Sequence, residues 1–122
     1  MILLDTNYIL RFLLKDNDEM YEVAKNVIKN SECIILIEVL AEVVFVLQKV
    51  YKISKEDITK ILTSFLKFEN IINSEKNFIL EALKIYTNKN LDFVDCILCA
   101  KSKEFTIKTF DKKLNKCIKA KA

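Results

Sequence analysis

Residues 33–47 read CIILIEVLAEVVFVL. The first five are apolar and rich in β-branched isoleucine, which predicts a short buried strand over 33–37. Glu38 interrupts the run. In the nine residues that follow, 39–47, only Glu42 is polar. This part is long enough for a helix over about 38–51, apolar on most sides and therefore well buried. A buried strand passing directly into a helix is one step of an alternating β/α chain, so it argues for a parallel sheet covered by helices. It also poses a chemical question. A carboxylate buried without a partner is costly, so Glu42 is expected to have one.

The same alternation continues on both sides. MILLD at the start predicts a strand over 2–5, and NYILRFLL a short helix over 7–14. Asp16, Asn17 and Asp18 form a turn and helix-start signal. Met20, Val23, Ala24, Val27 and Ile28 then recur at helical spacing, predicting an amphipathic helix over 19–29. Ser54 opens a helix whose core stripe is Ile58, Ile61, Leu62, Phe65 and Leu66. A short strand is expected near Ile71 and Ile72. Ser74 opens a further helix with Ile79, Ala82, Leu83 and Tyr86 on one face, and Asp92 is the expected N-cap of a helix over 93–103. TIKT, 106–109, is expected as a strand ending just before Asp111. No linker, repeat or low-complexity segment is visible, so residues 1–122 are expected to form a single α/β domain.

The chain has 122 residues, 52% hydrophobic and 30% charged, which describes a globular core and not a disordered chain. Its apolar runs are far shorter than a membrane span, and its first residues lack a basic flank, so no membrane and a cytoplasmic location are expected. The net charge is +3, but residues 101–122 hold eight lysines against Glu104 and Asp111, a local net of +6. That end is either a solvated surface or a place for phosphates.

Absent residue types exclude whole chemistries. With no glycine the P-loop and the GxGxxG fingerprint are impossible, and turns must use Asn, Asp, Ser or Lys. With no histidine there is no Ser-His-Asp triad, no Cys-His pair and no imidazole metal site. Cys96 and Cys99 form a CxxC within DCILCA, but no second ligand pair accompanies it, so both are expected to be packing residues. Acid–base or metal chemistry must then use carboxylates.

Four acids interrupt apolar context: Asp5 after the first strand, Glu42, Asp95 in the first turn of the 93–103 helix, and Asp111 after TIKT. In an open parallel sheet all four fall at the carboxyl ends of strands, where sites gather. Each but Glu42 also has an ordinary use: Asp5 as a helix cap, Asp95 as a charge at a helix N-terminus, Asp111 as a turn former. Four clustered carboxylates would repel one another and raise their pKa values, and a divalent cation resolves this. Mg²⁺ and Mn²⁺ favour carboxylate and water oxygens, so a metal ion is the expected partner of Glu42.

LLDTN, VLAEVVFVL, DFVDCILCA and TIKTFD, in this order and spacing, resemble the motifs of PIN-domain nucleases, and most of all the VapC-like toxins of type II toxin–antitoxin pairs. The likeness spans residue 2 to about 114. It implies a Rossmann-like three-layer α/β/α sandwich with a central parallel sheet, and a Mg²⁺- or Mn²⁺-dependent endoribonuclease leaving a 5′-phosphate and a 3′-hydroxyl. Carried onto this chain, Asp5, Glu42, Asp95 and Asp111 would be the catalytic, metal-holding acids. Thr6, Asn7 and Thr109 would orient a carboxylate or a water, with Asp92 beside them either as ligand or, in the preferred reading, as N-cap. Arg11, Lys112 and Lys113 would face RNA phosphates or serve as plain surface charge. The likeness also implies a cognate antitoxin and a homodimer. Two departures stand out: Glu104 where many relatives have a helix-ending glycine, and Lys113 where relatives often carry another acid. A housekeeping PIN nuclease of RNA processing is an alternative. An aspartyl phosphotransferase or phosphatase is a weaker one, since Asn7 stands where its DxD pattern needs an acid.

Overall fold

The structure, a computed structural model, describes residues 1–121. The chain divides into two compact units, Met1–Ser74 and Glu75–Ala122.

The first unit contains the sheet. Its elements are β1 (Ile2–Leu3), α1 (Thr6–Leu14), α2 (Asp18–Asn30), β2 (Cys33–Ile34), α3 (Ile37–Lys49), α4 (Lys55–Leu66) and β3 (Ile71–Ile72). The strands run parallel in the order β1-β2-β3, with Ile2 opposite Cys33 and Cys33 opposite Ile71. Every parallel pair therefore needs a helical crossover, and α1 through α4 supply them. The fold class is α/β, as the alternation predicts.

The strands are shorter than expected because helix entry begins early. Asp5 already caps α1 and Leu36 already occupies the N-cap of α3. Pairing still reaches one residue past each strand, with Leu4 N–H donating to Ile34 at 3.2 Å and Ile35 N–H to Ile72 at 3.0 Å. In α3 the buried residues are Leu40, Val43, Val44 and Leu47, the i, i+3, i+4, i+7 stripe of a helix packed on one side. The opposite face is open to solvent: Glu38, Glu42, Phe45 and Lys49 are all exposed. The expectation of a helix buried on most sides is thus too strong, because the valines that widen the apolar arc do not all reach the core.

Polar side chains do the work that glycine does elsewhere. Lys15 and Lys52 take the left-handed backbone conformation, with φ of 55° and 57°. Lys15 ends α1, its N–H returning to Arg11. Asn70 donates its amide to the carbonyls of Ile28 and Ser31, satisfying the C-terminal end of α2, and Asn73 donates to Ile35 at 2.8 Å.

The second unit is helical: α5 (Lys76–Asn88), α6 (Phe93–Lys101) and α7 (Lys112–Lys121). Ile79, Ala82, Leu83 and Tyr86 are buried along α5 as their spacing predicts. Glu75, not Ser74, precedes this helix, without a side-chain cap bond. The expected strand at 106–109 does not form. Those residues are neither helix nor strand, and none is buried. The β-branched composition of TIKT favours a strand only where a ladder and a packed face exist. Here Thr109 is instead drawn into the start of α7, its hydroxyl accepting from Asp111 N–H at 3.0 Å and its carbonyl from the Asn115 amide at 3.0 Å.

α7 was not expected, since its many lysines hide a core face of Leu114 and Cys117 three residues apart. It brings a second correction. Cys99 of α6 is bonded to Cys117 of α7, whereas Cys96 and Cys33 are buried and outside any disulfide. Cys96 fits the packing expectation and Cys99 does not. Glu104 adopts no left-handed conformation, because the turn after α6 differs: the Glu104 and Phe105 N–H groups both return to the Lys101 carbonyl, at 3.0 and 2.9 Å. Glu81 of α5 anchors the unit by accepting from Lys103 at 2.6 Å and Lys121 at 2.7 Å.

Candidate functional site

In the first unit, β1 and β2 are adjacent and parallel, so their carboxyl ends share one edge of the sheet, and α1 and α3 both start from that edge. Asp5 stands at this point. It is exposed, and its Oδ1 accepts the Tyr8 N–H at 2.9 Å as the cap of α1. One carboxylate oxygen is engaged and the other is left over. Thr6 is the first residue of α1 and Asn7 is exposed beside it.

Glu42 lies in the second turn of α3, on its solvent face. The carboxylate is not buried, so the desolvation cost that singled it out in the sequence does not arise. Its placement after β2 stands, but burial is not what sets it apart.

Arg11 is held within its unit. It pairs with Asp16 at 3.2 Å and donates to the Tyr51 hydroxyl at 3.1 Å, and its Nε is buried with no hydrogen-bond partner among the described residues. A guanidinium so engaged is a poorer phosphate contact than its charge suggests. Tyr51 carries no sequence signal for this role, because a pairing across forty residues leaves no local pattern, and Asp16 reads in the sequence only as part of a turn.

In the second unit two helix N-termini are each capped by an aspartate. Asp92 accepts the Asp95 N–H at 2.9 Å and caps α6, the role preferred from the sequence. Asp111 accepts the Leu114 N–H at 2.8 Å and starts α7. Asp95 lies between these groups in effect. Its pKa is raised, first by partial burial and then by the charges of Asp92 and Asp111, with a hydrogen bond to Asp92 favouring the protonated form. The repulsion expected among the acids is therefore present at this residue. Lys112 and Lys113 are exposed in the first turn of α7.

Among the described residues no three His, Cys, Asp or Glu side chains stand together as a ready metal-ligand group. The donor chemistry nonetheless fits a hard divalent cation: carboxylate oxygens, no imidazole, and an acid whose ionised form is disfavoured by like charge. No helix among the described residues is long and apolar enough to cross a membrane.

Comparison with known proteins agrees with this pattern. The PIN domain family model matches residues 2–119. A VapC ribonuclease of Aquifex aeolicus (strain VF5) is 31% identical over 112 residues, covering 88% of this chain and 83% of the relative. No solved structure matches.

Proposed function

The chain belongs to the PIN-domain family, and from that premise we propose that it is a Mg²⁺- or Mn²⁺-dependent endoribonuclease, the toxin of a VapBC-type pair. Asp5, Glu42, Asp95 and Asp111 are the acids that would hold the ion. When bound, the ion supplies Lewis acidity toward water and a phosphoryl oxygen. The chain's own residues prepare the site. Asp5 and Asp111 each commit one oxygen to a backbone N–H, which fixes the carboxylate and leaves its second oxygen available. Thr109 holds the backbone of Asp111. Asp92 orients the first turn of α6, where Asp95 keeps its proton to higher pH than an ordinary aspartate and would release it on ion binding. Thr6 and Asn7 stand beside Asp5 to orient a carboxylate or a water.

The observation that carries this reading is the gathering of Asp92, Asp95 and Asp111 at two aspartate-capped helix N-termini, where burial and the charges of Asp92 and Asp111 raise the pKa of Asp95, in a chain similar over most of its length to a VapC ribonuclease. The family match spans both compact units, which supports one PIN domain over 1–122. An antitoxin protein, a second copy of the chain and RNA are the proposed partners, in the cytoplasm. A cleft of about 370 Å³ on α1 and α2, with exposed Met20 and Val23 on its wall, suits an apolar partner segment.

The test is cleavage of a labelled structured RNA pool in Mg²⁺ or Mn²⁺ and in EDTA, for wild type and Asp5→Asn. Asparagine caps a helix as well as aspartate does, so the variant keeps its fold. Metal-dependent cutting that Asp5→Asn loses is the expected result. Cutting that is equal in both proteins would overturn the assignment of Asp5.

A further inference from the structure

Phe110 is fully exposed, at 104% of the reference area for its type, and it immediately precedes Asp111. A phenylalanine in water forgoes the burial that folding would give it, so its position needs a reason. Its backbone neighbours are tied down. Thr109 on one side accepts from Asp111 N–H through its hydroxyl and from Asn115 through its carbonyl, and Asp111 on the other accepts from Leu114 N–H. The residues on both sides of the ring are thus bonded into the start of α7, and Phe110 is presented to solvent by a pinned turn.

The surrounding charge is cationic. Lys108, Lys112 and Lys113 are exposed, and none of them is in an ion pair among the described residues. Lys112 and Lys113 occupy the first turn of α7, which has no acid of its own. A helix N-terminus favours negative charge, so two lysines there do not serve the helix. Lys113 also lines a cleft of about 220 Å³ with Lys89, Asn90, Leu91, Lys116 and Cys117. The unused positive charge beside the ring suits phosphates.

We propose that Phe110 is a stacking platform for an unpaired RNA base next to the bond to be cut, with Lys112 and Lys113 holding the flanking phosphates. The proposal rests on the ribonuclease reading and names the side chain that would meet an unpaired base. A base inside a duplex is already stacked on both faces and cannot use the ring, whereas an unpaired base can, whatever its identity. Because the backbone on both sides of the ring is already bonded into the start of α7, little main-chain ordering is lost on binding.

The experiment is equilibrium binding in EDTA, where no metal-dependent cutting occurs. The probes are a fluorescein-labelled mixed-sequence RNA 12-mer, single-stranded and annealed to its complement. Wild type is compared with Phe110→Ala, Phe110→Trp and the double variant Lys112→Ala/Lys113→Ala. Wild type binds the single strand more tightly. Phe110→Ala weakens single-strand binding by about 5- to 150-fold and leaves duplex binding unchanged, while Phe110→Trp retains the preference. The double lysine variant weakens both and flattens the salt dependence. Equal single-strand binding by wild type and Phe110→Ala, or an equal loss for strand and duplex, overturns the proposal. The binding assay needs no cleavage, so wild type that never cuts RNA but loses strand preference on Phe110→Ala would sink the nuclease reading alone.

Discussion

Asp111 performs two tasks in this reading, and two substitutions separate them. Its Oδ1 accepts the Leu114 N–H at 2.8 Å and so caps α7, while its charge raises the pKa of Asp95. Asparagine keeps the acceptor and removes the charge, whereas alanine removes both. Loss of such a cap costs about 1 kcal/mol. For a chain of 122 residues that corresponds to about 4 °C in Tm. Asp111→Ala should therefore melt about 4 °C below wild type, and Asp111→Asn within about 1 °C of it, followed by circular dichroism at 222 nm and pH 7. Both variants should lose RNA cleavage in Mn²⁺. In Asp111→Asn the Asp95 carboxyl should also titrate at lower pH than in wild type, observable by carbon NMR of the side chain. Asp111→Asn melting as low as Asp111→Ala would show that the cap is not what the acid contributes to stability. Wild-type cleavage by Asp111→Asn would remove Asp111 from the ion-holding set.

Two further outcomes follow from the second unit. The Cys99–Cys117 bond closes a loop with a sequence separation of 18, a constraint worth about 3 kcal/mol, so dithiothreitol or Cys117→Ser should lower the Tm by roughly 10 °C, and an unchanged melt in reductant would argue that the bond does not stabilise the fold. For Glu81, burial alone would raise the pKa, but hydrogen bonds and charge from Lys103 and Lys121 outweigh it and hold the pKa below the usual 4.5. A depressed acid adds stability that is present above its unfolded pKa and is lost as pH falls through the folded value. Urea midpoints measured from pH 6 to pH 3 should thus fall more steeply for wild type than for Glu81→Gln, and parallel curves would refute the anchoring role.

The sheet and the larger helices were legible because their signals are local. CIILI and the two isoleucines at 71–72 each contain the strand their apolar runs predict, though in CIILI it is confined to Cys33–Ile34, and the stripes of α2, α4 and α5 repeat at helical spacing. What failed was long-range. TIKT has the composition of a strand, but whether a ladder and a packed face exist for it cannot be read from four residues. In α7 the buried face is only Leu114 and Cys117, set among lysines, and without that helix nothing placed Cys117 opposite Cys99. Phe110 carries no sequence signal for a related reason: an aromatic residue reads as core, and here it is fully exposed.

The candidate site shows why aspartates are hard to interpret from sequence. In the sequence, capping and ion binding are alternative explanations for Asp5 and Asp111, yet they use different atoms. A cap needs one oxygen facing the backbone N–H groups, and a carboxylate has two. At Asp5 and Asp111 the capping bond is made by Oδ1. The helix N-terminus also stabilises the ionised form that a cation requires. Capping therefore strengthens such a residue as a ligand, by fixing its direction and favouring its charge. The same logic separates Asp95 from its neighbours: it sits in the first turn without being the cap, and burial together with the charges of Asp92 and Asp111 raises its pKa. Asp92 and Asp111 each spend an oxygen on a backbone N–H, and the cost of gathering negative charge near them falls on Asp95.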